Sequence, residues 1–292
     1  MKIFVTGATG FIGSHIIPLL QKDGHQVIGL SRSNKSTDTL LKIGVEPYLG
    51  TIDDPETLIE AAQRADAIIH TAFDHDFTRF VENCEKDRNV ILTLGKAIEG
   101  TSKTLIITSG VGIGDPGNGD LANEFTFNPN HPNPRIATEI AGNSLLEKGI
   151  DVRVVRLPQV HDTQHHGLIS TYIQIAATQG FAAFVENELN SWSACHVTDV
   201  AELYRLVLNH GTKGMRYHAV GEEKILAKDI AKAVSEKLNI PVRSIPKAQM
   251  NEYFGWFSMF ADKDLSASSA WTRKNLNWQP NSISLISDIY AS

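Results

Sequence analysis

Through the first 160 residues, short runs rich in valine and isoleucine alternate with longer stretches whose apolar positions recur every three or four residues. The short runs predict strands at 2–6, 26–30, 45–49, 67–70, 104–108 and 152–156. The longer stretches predict helices at 12–22, 55–63, 80–98 and 135–147. Apolar strands separated by amphipathic helices indicate βαβ units, and so a parallel sheet covered on both faces. Crossovers between parallel strands are right-handed, which makes the sheet doubly wound. The expected fold class is α/β.

After Pro158 the rhythm changes. A loop rich in His and Gln precedes a predicted helix at 168–179, and a helix at 200–208 follows Asp199 as its N-cap. A strand at 217–220 and a helix at 227–238 come next, and Phe254, Trp256, Phe257, Trp271 and Trp278 crowd the end. The expected organisation is a sheet domain over 1–180, rejoined by elements at about 194–220. A smaller mixed lobe over 181–292 is interleaved with it and lies over the sheet.

Composition narrows the function classes. Of 292 residues, 42% are hydrophobic, an ordinary share for a globular protein. The net charge of −6, with 27 basic residues forming no block, argues against a nucleic-acid partner. Cys84 and Cys195 lie far apart, which excludes a disulfide scaffold or cysteine-rich zinc site and suits a reducing cytosol. Met1-Lys2 runs straight into Ile3-Phe4-Val5 without a secretory leader pattern. The longest stretch free of Asp, Glu, Lys and Arg, from Thr163 to Val185, is too polar to span a bilayer. A cytoplasmic protein without a membrane partner is expected.

The strongest motif is Thr6-Gly7-Ala8-Thr9-Gly10-Phe11-Ile12-Gly13, directly after the first strand and opening the first helix. Gly7 permits a tight turn, Gly10 lets the backbone approach a pyrophosphate, and Gly13 allows helix to pack close on strand. The helix N-terminus adds free N–H groups and a partial positive charge. The spacing is GxxGxxG, and its strand–turn–helix context marks a Rossmann-type nucleotide site, with Thr9, Phe11 and Ile12 beside the glycines. At the end of strand two an acid would favour NAD, and an Arg a 2′-phosphate. The residues there are Leu30-Ser31-Arg32-Ser33, with no acid and one guanidinium, flanked by hydroxyls suited to phosphate. NADP is the expected cofactor, with NAD possible.

These residues resemble the extended short-chain dehydrogenase/reductase superfamily, the NAD-dependent epimerase/dehydratase group. Gly7, Gly10 and Gly13 match its phosphate loop. Gly50-Thr51-Ile52 stands where the group usually has Gly-Asp-Leu: Thr51 replaces the adenine-binding Asp, and Ile52 can still pack on the ring. Ile69-His70-Thr71-Ala72, with Phe73 next, looks like the strand-four motif that runs along the cofactor, and Asn89-Val90 resembles a structural pair in the following helix. Arg156-Leu157-Pro158-Gln159-Val160 resembles the segment passing the nicotinamide, and His196-Val197-Thr198-Asp199-Val200-Ala201 the motif opening a late helix.

One departure dominates. The superfamily carries a Ser or Thr after strand five and then Tyr-x-x-x-Lys. The Tyr exchanges a proton with the substrate while the Lys lowers the Tyr pKa and holds the nicotinamide ribose. Ser109 stands at the first station, but Arg135-Ile136-Ala137-Thr138-Glu139 occupies the second, and none of the six tyrosines has a Lys four residues on. The chain resembles the subgroup termed atypical.

Arg135 cannot donate a proton as an acid but can stabilise an oxyanion or bind an anionic group. Glu139, at i+4, can serve as acid or base, or simply pair with Arg135. His161 follows the segment passing the nicotinamide, and His131 lies where a substrate lid is expected. His165-His166 lacks a third ligand, so no metal is expected. Trp192, Phe254, Trp256 and Phe257 can line an apolar pocket or fill a core. Two functions remain open. One is an NADP-dependent oxidoreductase acting on a small carbonyl, hydroxyl or conjugated substrate, with Ser109 and Arg135 at the reacting oxygen and the proton from His161, Glu139 or water. The other is an NADP(H)-binding redox sensor without catalysis. A monomer or homodimer is expected, with Val81, Cys84, Val90, Ile91 and Leu94 as a candidate dimer face.

Overall fold

A computed structural model describes residues 1–186 and 190–292. The central sheet uses β1 (Lys2–Thr6), β2 (Gln26–Ser31), β3 (Glu46–Leu49), β4 (Ala67–His70), β5 (Thr104–Gly110) and β6 (Asp151–Leu157). Three strands of the second lobe follow, β7 (Gln159–His161), β8 (Ala182–Val185) and β9 (Ser191–His196), before β10 (Arg216–His218) returns to the sheet. All seven central strands are parallel, in the order β10-β6-β5-β4-β1-β2-β3. The α/β, doubly wound expectation holds.

Alternation along β1 separates the two faces. Ile3 and Val5 pack toward α1 (Phe11–Lys22) and α7 (Val197–His210), beside Ile16, Leu20, Val200 and Tyr204. Phe4 points the other way, onto the layer containing α4 (Phe80–Ala97) and α5 (Ile136–Glu147). Each fully buried Ile, Leu or Phe adds roughly 1.5–3 kcal/mol, so the two layers fix where the strand ends open. Helices α4 and α5 approach closely because Gly95 has no side chain: a Cβ there would overlap Leu145.

The second lobe joins β7 and β9 to β11 (Glu222–Leu226), and pairs β8 with β12 (Val242–Ile245). Its core unites Tyr172, Trp192, Phe254, Phe257, Leu285 and Ile289. The helix Leu168–Gln179 packs in that core, so the lobe draws on residues before the expected boundary at 180. Conversely α7, β10, Leu276 and Trp278 belong with the sheet.

Three other expectations are corrected. The helix α2 (Asn34–Lys42) is absent from the sequence-based elements because its polar run buries only Leu40; a capping box between Ser33 and Ser36 starts it. Helix α7 begins at Val197, not residue 200, and its N-cap is His196, whose Nδ1 accepts from the Thr198 amide. Asp199 instead accepts from the Ser282 amide. Of the candidate dimer face, Cys84, Val90, Ile91 and Leu94 are buried in the chain's own core, and only Val81 is exposed. Among the described residues no helix is long and apolar enough to cross a membrane.

Candidate active site

A cleft of about 1120 Å³ runs along the carboxyl ends of the central strands, from the glycine loop to the second lobe. This is where open α/β sheets bind ligands. Gly7 adopts a φ of +66°, and a Cβ there would press on Thr71 and the Ala72 amide. A Cβ on Gly13 would overlap the Gly7 carbonyl oxygen. Helix α1 starts with no side-chain cap and no acid in its first turn, leaving its amide groups and positive dipole end to face the cleft. Beside it Thr6 Oγ1 accepts from the amides of Thr71 and Ala72, 3.2 Å each, tying β4's end to the loop. Loop and helix together fit a dinucleotide pyrophosphate. Thr9, Gly10, Phe11, Ile12, Thr71, Ala72 and Phe73 line this stretch, and Leu157, Pro158 and Val160 line the wall beyond it.

At the outer end of β2 the cleft is lined by Arg32, Ser33, Lys35, Ser36 and Thr39, with Thr51 and Ile52 opposite. Ser31 departs from expectation: its buried hydroxyl donates to the Ser33 carbonyl and contacts Ser36 and Thr37, so it braces the loop instead of facing the cleft. Lys35 and Thr39 escaped the sequence reading because α2 did. Among the described residues no carboxylate lines the cleft.

The centre of the cleft holds Ser109. Its Oγ is buried, has no hydrogen-bond partner among the described residues and belongs to a cleft-lining residue. A buried hydroxyl left unpaired costs about 1–3 kcal/mol, which a ligand oxygen at this point would recover. Arg135 lines the same region, but its guanidinium is committed: Nη1 lies 2.7 Å from Asp87 Oδ2, Nη2 donates to the Thr108 carbonyl at 2.8 Å, and Phe73 covers its face at 4.0 Å. Asp87 also accepts from Thr138 (2.6 Å) and from His70 Nε2 (3.0 Å). His70 Nδ1 in turn meets the Thr6 hydroxyl at 2.7 Å. Burial alone would raise the Asp87 pKa; the Arg135 charge and the bonds from His70 and Thr138 outweigh it and hold the carboxyl below its usual value.

Two expected residues stand outside the site. Glu139 does not pair with Arg135; it is buried in a fork with Arg156 (2.7 and 2.8 Å) and accepts from Arg216 at 2.7 Å. Its carboxyl is thereby held below the usual range despite burial, and it faces the sheet's far flank. His161 is fully buried in the second lobe, with Nδ1 2.6 Å from Asp288 Oδ2, and does not line the cleft. His131 also stays off the cleft, its Nδ1 accepting from the Asn133 amide, whereas Asn133 itself lines it. Of the four aromatic candidates only Trp256 lines the cleft; Trp192, Phe254 and Phe257 fill the lobe core.

The sequence reading missed His75. It lines the cleft between Phe73 and Phe77, with ring centroids at 5.3 and 6.2 Å; the residue is exposed on its outer side, and desolvation by the packed rings and the Arg135 charge bring its pKa below the ordinary value. Its position directly after the strand-four motif was the available signal.

Residues 3–220 match the model of the NAD dependent epimerase/dehydratase family. The uncharacterized protein C2A9.02 of Schizosaccharomyces pombe is 39% identical over 290 residues, covering 99% of this chain and 98% of the relative. The uncharacterized protein YLL056C of Saccharomyces cerevisiae is 38% identical over 296 residues, covering 100% and 99%. Among solved structures, the Thermus thermophilus UDP-glucose 4-epimerase in complex with NAD superposes with a TM-score of 0.76 at 21% identity, covering 100% of this chain and 97% of that one.

Proposed function

The chain belongs to the NAD dependent epimerase/dehydratase family and is an NAD(P)-dependent oxidoreductase of that type; from this premise we propose that it uses NADP and acts on a small carbonyl, hydroxyl or conjugated substrate held at Ser109. The observation that carries the reading is the buried Ser109 hydroxyl, without a partner among the described residues and set in a cleft that starts at the glycine loop. The dinucleotide, when bound, supplies or accepts the hydride. Gly7, Gly10 and Gly13 with the α1 amides would hold its pyrophosphate, and Arg32, Ser33 and Lys35 a 2′-phosphate. Thr51 and Ile52 would flank the adenine, and Leu157, Pro158 and Val160 the nicotinamide side.

The chain's own residues then divide the remaining work. Ser109 donates to the substrate oxygen and orients it. Arg135 does not bind a substrate anion, because Asp87 neutralises it. It holds Thr108 and Phe73 in place. His75 is the cleft-lining group able to exchange a proton near neutral pH, directly or through one water. The test is NADPH consumption over a panel of aldehydes, ketones and enones. Ser109→Ala is expected to lower kcat/KM at least tenfold with NADP+ affinity unchanged. Turnover that is intact in Ser109→Ala sinks this assignment.

A second reading, an NADP(H)-binding sensor without turnover, is favoured by one fact: both residues at the Tyr and Lys stations, Arg135 and Glu139, are consumed in ion pairs. Tight NADPH binding without consumption across the whole panel would select it.

A further inference from the structure

We propose that the outer half of the cleft takes a planar, uncharged, conjugated carbonyl compound of aromatic or enone type. This rests on the reading above that the same cleft holds the dinucleotide, and it adds the class of substrate.

The argument begins with what lines that half. Phe73, Phe77, Phe80, Trp256, Phe260 and Leu265 supply its walls. Phe77 and Trp256 stack face to face, with ring centroids 5.3 Å apart and planes inclined by 9°. Phe260 meets Phe77 edge-on at 5.9 Å and 83°. The two stacked rings come from distant parts of the chain, Phe77 from the 3-10 turn Phe77–Arg79 after β4 and Trp256 from the turn Gly255–Phe257 beside the second-lobe core residue Phe257, and both line the cleft. Trp256 is nonetheless 41% exposed, unusual for a large ring that serves only a core. Aromatic faces set in this way favour a flat π-system inserted beside them.

Charge points to the same class. Among the described residues, the cleft-lining cations are Arg32, Lys35 and Arg135, and no Asp or Glu lines it. Arg32 and Lys35 lie at the outer end of β2, on the adenosine side. Arg135 is the cation of the outer half, and its charge is met by Asp87 at 2.7 Å under the Phe73 ring. An anionic substrate such as a sugar diphosphate would be desolvated there without a cation to pair with, at a heavy cost. A substrate cation would find no carboxylate. The other polar side chains lining the cleft there are uncharged or titrate only as imidazole: Ser109, Asn133 and His75, with Thr171, Gln159, whose Oε1 accepts from the Leu168 amide, and Ser193 and Thr108, whose hydroxyls donate to the Leu265 and His70 carbonyls.

The test is a binding experiment, with 4-phenylbut-3-en-2-one as the neutral probe, its para-carboxylate as the charged twin, and UDP-glucose as the sugar-diphosphate control. Each is titrated by tryptophan fluorescence and calorimetry, with and without NADP+; NADP+ is also titrated alone. The neutral ketone is expected to bind and quench fluorescence, and the carboxylate to bind at least tenfold more weakly. Trp256→Ala and, separately, Phe77→Leu are expected to weaken the ketone roughly three- to tenfold while leaving NADP+ affinity unchanged. Equal or tighter binding of the carboxylate, tight binding of UDP-glucose, no ketone binding in either state, or indifference of both variants overturns the proposal. Failure of NADP+ to bind the wild-type protein overturns the cofactor reading instead, because the ketone titration without NADP+ still reports on the outer cleft.

Discussion

Arg135 stands on Asp87: a guanidinium on the first residue before α5 meets a carboxylate 48 positions earlier on α4, 2.7 Å away and almost shielded from water. Arg135 stands at the station where the resemblance puts a tyrosine, and there it forms a fixed charge pair. Asp87 also gathers Thr138 and, through His70, the glycine-loop strand. Cutting one member leaves the other charge unpaired. Asp87→Asn is therefore expected to destabilise the fold by about 3–5 kcal/mol, and the double variant Asp87→Asn with Arg135→Gln to recover a good part of that loss. Denaturant unfolding of the three variants measures it. Additive losses would show that the two side chains do not act as a pair.

The NADP proposal rests on the outer end of β2. Arg32→Ala is expected to weaken NADP+ by roughly ten- to a hundredfold, as for a lost charged hydrogen bond of about 1.5–3 kcal/mol, and to leave NAD+ unchanged. Lys35→Ala should act in the same direction. Calorimetric titration of both nucleotides decides it: parallel losses for NAD+ and NADP+ would mean that these cations do not read the 2′-phosphate.

How much of this was legible from the sequence depends on the range of the interaction involved. The glycine loop and Ser109 are local patterns, and both line the cleft. What the chain does with Arg135, Glu139 and His161 is not local. Their partners are Asp87, Arg156 with Arg216, and Asp288, the last 127 residues away. An i,i+4 spacing offered Arg135 and Glu139 to each other, and the tertiary fold gave each a better-buried partner. Likewise Lys35 was invisible because α2 is held by a serine capping box and one buried leucine, not by an apolar stripe.

Acid stability carries a signature of one buried ring. His218 donates from Nδ1 to the Ser268 carbonyl and accepts at Nε2 from Arg156, which leaves no site for a second proton. Desolvation and the Arg156 charge depress its pKa to about 3. A histidine depressed on folding stabilises above the unfolded value near 6.5 and loses that contribution as pH falls toward 3, with a slope of at most about 1.4 kcal/mol per pH unit. His75, His161 and His166 are shifted in the same direction, whereas Asp87 and Glu139, with lowered values, act only below the carboxylate range. His218→Gln is expected to make stability fall less steeply between pH 6.5 and 5. Urea midpoints across that window measure the slope, and an unchanged slope would remove His218 from the account.

The last prediction concerns the proton. Ser109 Oγ has no hydrogen-bond partner among the described residues and Arg135 is no proton donor, so in the carbonyl-reducing direction the proposed acid is His75 or water. Desolvation and the Arg135 charge keep the His75 pKa below 6.5, while the Asp74 charge works the other way. Reduction needs the protonated ring, so kcat/KM for a ketone should fall as pH rises through that depressed value. Oxidation needs the neutral ring and should rise through the same range. His75→Asn keeps the size and polarity of the group and removes its titration. It is expected to lower the reductive kcat by about 10²–10⁴ and to flatten both limbs, with NADP+ affinity unchanged. The measurement is the pH profile of the wild type and His75→Asn in both directions. A variant that keeps the wild-type limbs would assign the proton to water and leave His75 as part of the cleft wall.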